Sequence, residues 1–431
     1  MKKFFVKNKK IIVAILITFL CLLVWRIGVH ITLPLINPDA LTGGNQPLFG
    51  FLDVFTGGAL SQFSVVALGI SPYITASIVI QLLQMDIVPI FKEWAEEGEA
   101  GKQKLNQVTR YLALFLAFVQ GLAFIIGYGL SKEAEVVLFA IDEVTAFHFV
   151  YLAIIMTAGS AFILWLSDRI SLYGIGNGAS MFIVAGIVAS FPVMINDLIS
   201  TFITGADAGG VGDIIKFFIV LIIFILVIVG VVFMEGMQRK IPIQYANRPA
   251  AAKFRGKSES NIPIKLNSAS VIPVIFAATL MSLPIALLNF TTSTNAFTTW
   301  IRRIFNYNEP IGFAIYIILI FLFSFFYSFL QINPEKMAEN LQKQNAYVPG
   351  VRPGEDTAIY FSRVLFKVTM LGATYLAIVA SLPMIISMIF KLPATVQVGG
   401  TSIMIVVGVA IETAKQIKTQ VQEQEYRGFM D

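Results

Sequence analysis

Long apolar runs decide what this chain can fold into. Windows of about 20 apolar residues, the length that crosses a hydrocarbon core about 30 Å thick, recur along its length. Eight windows are continuous, and they cover residues 11–31, 109–129, 147–167, 178–196, 214–234, 311–331, 364–386 and 399–414. Two more, 51–86 and 267–290, are interrupted by glycine or proline. The sequence therefore predicts an all-α polytopic membrane protein with ten transmembrane helices.

The composition agrees with this prediction. Of the 431 residues, 57% are hydrophobic and 13% are charged, whereas a soluble domain carries about 25% charged residues. Disordered, collagen-like and disulfide-stapled secreted proteins are excluded on the same grounds. The single Cys21 cannot form an internal disulfide, and two histidines offer no material for a His-rich metal site, so no metal ligands are predicted.

The basic residues indicate how the chain is oriented. If the first span enters from the cytoplasm, 25 of the 31 Lys and Arg residues lie inside or at inner span ends, and five lie outside. Positive charge stays on the cytoplasmic side of a membrane, which predicts that both termini are cytoplasmic. The apolar run 11–31 is longer than the core of a signal peptide, and no A-x-A cleavage site follows it, so we expect a retained span.

Ten spans divide into two halves of five, 1–205 and 206–431, at a Gly-rich stretch over residues 204–210. The second span of each half is the interrupted one. Breakers at corresponding positions indicate an inverted repeat with a pathway at the interface, although no residue-level repeat is visible. Five is odd, so the halves are expected to have opposite, pseudo-symmetric topologies.

The interrupted segment 51–86 predicts a short re-entrant helix followed by a true span. Polar residues and the pair Gly57-Gly58 dilute its first part, which is tolerated at membrane depth only where it lines a cavity. Pro72 suits the first turn of a new helix. An ordinary kinked helix is the alternative.

Six motifs occur in order along the chain: Gly-Ala-Leu at 58–60, Ala-Leu-Gly-Ile-Ser-Pro-Tyr-Ile-Thr-Ala-Ser-Ile at 67–78, Gly-Ile-Gly-Asn-Gly at 174–178, Val-Ile-Pro-Val-Ile-Phe at 271–276, Pro-Gly-Val-Arg-Pro-Gly at 349–354 and Gly-Gly-Thr-Ser at 399–402. Together they resemble the SecY family, the channel subunits of the bacterial protein translocase.

The resemblance implies a clamshell around an hourglass pore, sealed outside by a plug helix at about 51–65. The plug residues implied are Phe51, Leu52, Val54, Phe55, Gly57, Gly58, Ala59, Leu60 and Phe63. A ring of apolar side chains would block ions by dewetting, and the family positions for it match Ile70, Ile74, Ala179, Ile183, Ile275 and Ile405. Ala179 is smaller than the usual residue, and we hypothesise that Met181 or Phe182 repacks toward the gap.

A lateral gate between spans 2, 3 and 7 is also implied, and its polar positions match Thr75, Gln120 and Asn267. Their alternative role is helix-to-helix adhesion without gating. Arg26 in span 1 matches another family position, to which we assign no mechanism.

Two long cytoplasmic loops, about 235–266 and 333–363, are implied to dock the SecA motor or the ribosome. The candidate docking cations are Arg239, Lys240, Arg248, Lys253, Arg255, Lys257 and Arg352. Further implied partners are SecE and SecG in a heterotrimer, signal sequences, membrane lipids, SecDF and YidC. No cofactor is implied, and the location is the bacterial plasma membrane.

The function implied is a protein-conducting channel that passes unfolded preproteins and releases membrane helices laterally. An ion-coupled secondary transporter is the alternative, since it shares inverted repeats and broken helices. It requires ionisable residues at the span centres, and these are nearly absent here. An enzyme is not expected, because residues 174–178 lack the strand context of a dinucleotide loop and no Walker A motif occurs.

Overall fold

The computed structural model describes residues 9–36, 50–84, 87–129, 145–204, 210–245, 260–288, 295–306, 309–390, 392 and 394–427. The N-terminal half contains seven helices: α1 (Lys9–Val29), α2 (Gly50–Thr56), α3 (Ser71–Leu83), α4 (Pro89–Glu96), α5 (Glu99–Gly129), α6 (Ala146–Tyr173) and α7 (Gly178–Ile199), the last continuing into a π-helical turn at Ser200–Thr204.

The C-terminal half adds seven helices and a small sheet. Its elements are α8 (Val211–Gly236), β1 (Gln238–Tyr245), β2 (Ser260–Lys265), α9 (Ile272–Leu288), α10 (Ala296–Phe305), α11 (Pro310–Gln331), α12 (Pro334–Lys343), β3 (Ala346–Tyr347), α13 (Glu355–Phe390) and α14 (Ala394–Arg427).

The ten predicted windows correspond to helices of the structure. Within the described residues, seven helices are long and apolar enough to cross a membrane, namely α1, α5, α6, α7, α8, α11 and α13, and α3 and α9 are shorter apolar helices. The last window lies within α14. The ten-helix layout is thus confirmed, and the two interrupted windows contain the two shorter apolar helices, α3 and α9.

The predicted re-entrant helix is shorter than expected. We predicted helix to about residue 65, but α2 ends at Thr56. Gly57 and Gly58 have φ angles of 66° and 84°, and Gly57 N–H and Gly58 N–H donate to the carbonyls of Val54 and Asp53 at 3.3 and 3.0 Å. These two bonds form the Schellman motif that ends helices. Residues 57–70 then run as turns until α3 begins.

A three-stranded antiparallel sheet joins the two predicted loops. Its order is β2-β1-β3, with Arg239 opposite Ile264 and Gln244 opposite Tyr347. Ile241, Ile264, Leu341, Phe361 and Leu365 form part of the core beneath it. The second predicted loop, about 333–363, contains α12 and β3, and α13 begins within it at Glu355.

We call the side of the bundle that carries this sheet the sheet end. Because α8 ends at Gly236 just before β1, and α13 begins just after β3, both enter or leave the bundle there. The spans alternate in direction, so Lys9 at the start of α1 and Arg427 at the end of α14 also lie at the sheet end.

Candidate functional site

The short helix α2 lies inside the bundle rather than on its surface. Val54 and Thr56 are 5% and 4% exposed, and α2 contacts α7 and α14. Ser190 Oγ on α7 lies 3.4 Å from the carbonyl oxygen of Val54 and 3.1 Å from that of Gly186, and donates toward both. The helix is therefore held between the two halves, where a plug is predicted.

Backbone approaches backbone where α2 ends. A Cβ atom added at Gly186 would lie 2.1 Å from the carbonyl oxygen of Phe55, and one added at Gly57 would lie 3.2 Å from the Cα atom of Gly186. Only glycine permits this approach. Arg26 on α1 secures the same point, because its Nη1 donates to the carbonyl oxygen of Gly57 at 2.9 Å.

The predicted plug residues divide between two cores. Val54 and Ala59 belong to the central cluster, and Phe55 packs against it. Leu60 and Phe63 belong instead to a second cluster with Phe124 on α5, and the Phe63 and Phe124 rings are 5.0 Å apart. Phe51 and Leu52 lie in α2, but their side chains are outside the described ones.

The stretch after α2 is tied to the chain that follows α1. Leu33 N–H donates to the Phe63 carbonyl at 2.8 Å, and Val65 N–H donates to the Ile31 carbonyl at 2.9 Å. These bonds hold residues 60–65 against the chain that follows α1, and both stretches pack with α5 and α6 in the second cluster. The part of the predicted plug that is not fixed in this way is α2 with its glycine turn.

All six predicted ring residues either belong to the central cluster or pack against it. Ile70, Ile183, Ile275 and Ile405 are 0–8% exposed members of it, and Ile74 and Ala179 pack against it half-buried. They come from the start of α3 and from α7, α9 and α14, which lie in both halves. The structure thus brings together side chains that are up to 335 positions apart (70 to 405) in the sequence.

The hypothesis about Ala179 stays a prediction. Met181 Sδ lies 3.9 Å from Thr413 Oγ1 on α14, and the Phe182 ring packs edge-on against Trp25, with centroids 6.0 Å apart. Both side chains therefore contact other helices.

The start of α7 explains the Gly-rich motif at 174–178. Asn177 caps the helix by accepting the Ala179 N–H at 3.0 Å. A Cβ atom at Gly178 would lie 1.9 Å from the Ser167 carbonyl oxygen, so α6 and α7 approach closely. This motif positions ring residues Ala179 and Ile183.

The three helices of the predicted gate, α3, α5 and α9, contact one another, but the three predicted polar residues are not hydrogen-bonded to each other. Thr75 is buried and donates to the Ser71 carbonyl at 3.2 Å within its own helix. Gln120 is half-buried on α5. Asn267 donates instead to Glu235 Oε2 at 3.3 Å and to the Ser270 carbonyl at 3.0 Å.

The sequence did not lead us to Glu235 as a site residue, and it gave no role for Arg26. An acidic residue closing an apolar helix was the available signal for Glu235, since a lone carboxylate there needs a partner. Its partners lie 32 and 35 positions away, which no local pattern reveals.

The three docking candidates that the structure describes, Arg239, Lys240 and Arg352, lie at the sheet end. Arg239 and Lys240 are exposed on β1, and Arg352 is exposed between Gly350 and Gly354, whose φ angles are 84° and 108°. Thr357 Oγ1 donates to the Arg352 carbonyl at 2.7 Å, so the backbone of the tip is fixed. The remaining candidates lie outside the described residues; they are Arg248, Lys253, Arg255 and Lys257.

Comparison with known proteins agrees with this geometry. The SecY family model matches residues 64–414. The chain is 43% identical over 427 residues to the protein translocase subunit SecY of Bacillus licheniformis, covering 99% of this chain and 98% of that relative. It is 44% identical over 417 residues to the same subunit of Bacillus subtilis, covering 96% of each chain.

Solved structures share the fold at lower identity. A protein-conducting channel superposes with a TM-score of 0.65 at 20% identity, covering 96% of this chain and 93% of that one. Sec61 in a canine ribosome-channel complex gives a TM-score of 0.63 at 19% identity, covering 96% and 93%. The predicted protein translocation channel is confirmed, in place of the transporter alternative or an enzyme, and the chain belongs to the SecY family of protein translocase subunits.

Proposed function

We propose that the seal of this channel is the predicted ring, Ile70, Ile74, Ala179, Ile183, Ile275 and Ile405, backed by α2 as the plug. The observation that supports this is their shared membership of, or packing against, one central cluster that includes residues of α2. A collar of branched apolar side chains excludes ions when closed, because water leaves a narrow apolar constriction. It can still deform around an extended polypeptide.

The lateral exit is proposed to open between α3 and α5 on one side and α9 on the other. These three helices contact one another. The helices α3 and α9 are shorter than the other spans, so they cross a bilayer with little length to spare. A signal sequence that enters as an apolar helix would replace their contacts. Thr75, Gln120 and Asn267 are the proposed gate residues, and Asn267 is hydrogen-bonded to Glu235.

The sheet end is proposed to be cytoplasmic and to dock either SecA or a ribosome. Exposed Arg239, Lys240 and Arg352 support this, together with the excess of Lys and Arg in the chain segments of this side. Two solved relatives of similar fold are ribosome-bound, canine Sec61 and yeast Ssh1. A ribosomal contact would neutralise phosphates, so it would weaken steeply with added salt.

The finer assembly is likewise proposed. It comprises SecE and SecG with this chain in a bacterial plasma membrane, with both termini cytoplasmic, plus auxiliary contacts to SecDF and YidC. The placement of Lys9 and Arg427 at one end of the bundle supports the orientation of the termini.

The test is SecA- and ATP-driven import of a preprotein into vesicles that hold this chain with SecE. We compare the native chain with Arg352→Glu and with Arg363→Glu, an exposed arginine on the first turns of α13. We expect Arg352→Glu to abolish import and Arg363→Glu to leave it within about twofold, because only the first lies at the fixed tip.

Import that survives in both variants would remove Arg352 from the docking surface and leave the channel. No import by any chain, with SecE shown to be bound, would contradict the motor-driven channel itself.

A further inference from the structure

Glu235 is the one charged residue that is buried among the side chains the structure describes. It is 7% exposed and lies one residue before the end of α8. Burial of a carboxylate is costly unless it is paired, and the partial negative charge of a helix C-terminus adds to that cost. Its position therefore requires strong partners.

Those partners come from the turn that begins α9. Ser270 Oγ donates to Glu235 Oε1 at 2.9 Å, and Asn267 Nδ2 donates to Oε2 at 3.3 Å. The backbone adds a parallel tie, since Leu266 N–H donates to the Met237 carbonyl at 3.0 Å. The two carboxylate oxygens thus hold both ends of the turn 267–270.

The same turn is strained and closely packed. Ser270 has a φ of 53°, which a non-glycine residue adopts at a cost. A Cβ at Gly372 on α13 would lie 2.7 Å from the Leu266 carbonyl oxygen, and one at Gly408 on α14 would lie 2.9 Å from Val271 Cγ1. Lys415 Nζ on α14 lies 3.5 Å from the Glu235 carbonyl oxygen. The turn is thus enclosed by α13 and α14, and Glu235 supplies the bonds that hold its conformation.

The Glu235 carboxylate also lies between the proposed docking sheet and the start of α9, a helix of the proposed gate. β1, which carries Arg239 and Lys240, starts three residues after Glu235, and α9 starts two residues after Ser270. A force on the sheet would reach the end of α8 through one residue of chain, Met237. From there, Glu235 passes it to the start of the gate helix.

We infer that Glu235 is a positioning residue of the gate: its carboxylate clamps the turn 267–270 to the end of α8, so that α9 keeps its resting place and follows a displacement of the sheet. The part about displacement rests on the proposed docking of a motor at the sheet. The resting clamp does not.

The resting clamp is tested by a distance between the gate helices. Val79 on α3 and Leu280 on α9 are 36% and 37% exposed, so nitroxides at Val79→Cys and Leu280→Cys, in a Cys21→Ser background, disturb little packing. The channel with SecE and SecG is measured in lipid nanodiscs by pulsed electron resonance, with no motor or substrate present. The control is Glu412→Gln, an exposed carboxylate on α14.

In Glu235→Ala we expect a second, longer α3–α9 distance that is absent from the native and Glu412→Gln chains. Ser270→Ala, which removes one hydroxyl and serves if Glu235→Ala does not fold, should give the same second population at a smaller fraction. A single native distance in a folded Glu235→Ala or Ser270→Ala channel would overturn the inference.

A second arm adds SecA with a non-hydrolysable ATP analogue. The native distance should lengthen, while the Glu235→Ala distance should not respond although SecA binds equally well. If the α3–α9 distance of Glu235→Ala lengthens with SecA as it does in the native chain, then Glu235 does not transmit the displacement of the sheet to α9. Failure of SecA to bind the native chain would instead contradict the proposed docking and leave the resting clamp to be judged by the first arm.

Discussion

At the scale of single residues, Arg26 holds the short helix α2 in place. Its guanidinium donates to the carbonyl of Gly57, which no helical bond can use, because that residue lies past the helix end. A charged donor forms a stronger bond than a neutral one, worth about 1.5–3 kcal/mol. Arg26 lies in the last turn of α1, where the partial negative charge of the helix C-terminus also favours a cation.

Arg26→Leu should therefore raise the resting ion conductance of the channel several-fold, since α2 loses this tie. Arg26→Lys should show a smaller rise, because it keeps a donor. Arg169→Leu is the control: Arg169 is exposed and stacks over Trp165 at 5.2 Å, away from α2. Ion flux into vesicles measures all three, and equal conductance in the native and Arg26→Leu channels would show that Arg26 does not retain the plug.

At the scale of elements, the sequence identified the spans but not the end of α2. Apolar windows of sufficient length have one solution in lipid, so all ten were predictable. The end at about residue 65 was implied by the resemblance to the SecY family, and nothing in the local residues supported helix past Thr56. Ala59, Leu60 and Phe63 are apolar because they pack in the central cluster or against α5 and α6, and the adjacent left-handed glycines were the better guide.

The sheet was missed for a related reason. Ile241 and Ile243 alternate with exposed neighbours along β1, which is the two-residue period of a half-buried strand. That signal was present but lay in a segment we interpreted only as a charged loop. The pairing of β1 with β3 joins residues more than 100 positions apart, and sequence periodicity cannot reveal such a partner.

The close approach of α2 and α7 gives an element-scale prediction. Gly186→Ala places a Cβ where the Phe55 carbonyl oxygen lies, 2.1 Å away, so α2 must shift. We expect a loss of about 1–3 kcal/mol in stability, the usual cost of overpacking, together with a higher resting conductance. Thermal unfolding in detergent and ion flux measure the two effects.

Gly230→Ala on α8 is the matched control, because nothing lies within 4 Å of its added Cβ. It should leave conductance unchanged and stability equal or slightly higher, since alanine favours a helix over glycine. Equal behaviour of the two alanine variants would contradict the backbone contact between α2 and α7.

At the scale of the whole molecule, the sheet joins the two loops that are proposed to dock a partner into one body. Tyr347 Oη donates to Gln244 Oε1 at 3.1 Å across the β1–β3 pair, and the shared core beneath it includes Phe361 of α13. A partner bound at either loop therefore acts on α8, α9 and α13 together.

A disulfide between β1 and β3 tests whether the two loops move together. It is introduced by Gln244→Cys with Tyr347→Cys in a Cys21→Ser background. Register partners in an antiparallel pair have Cα atoms close enough for that bond. We expect oxidised and reduced channels to import a preprotein at the same rate, because the loops already move as one. A rate that falls on oxidation and recovers on reduction would show that the loops must separate.

The central cluster has a consequence for energetics. Four residues of the proposed ring, Ile70, Ile183, Ile275 and Ile405, belong to the same buried cluster that holds the helices of both halves together, and protein interiors are densely packed rather than fluid. Opening the pore at this ring would therefore disrupt part of the packing that stabilises the fold. Because only part of the cluster has to open, warming should make the resting channel leak well before it denatures.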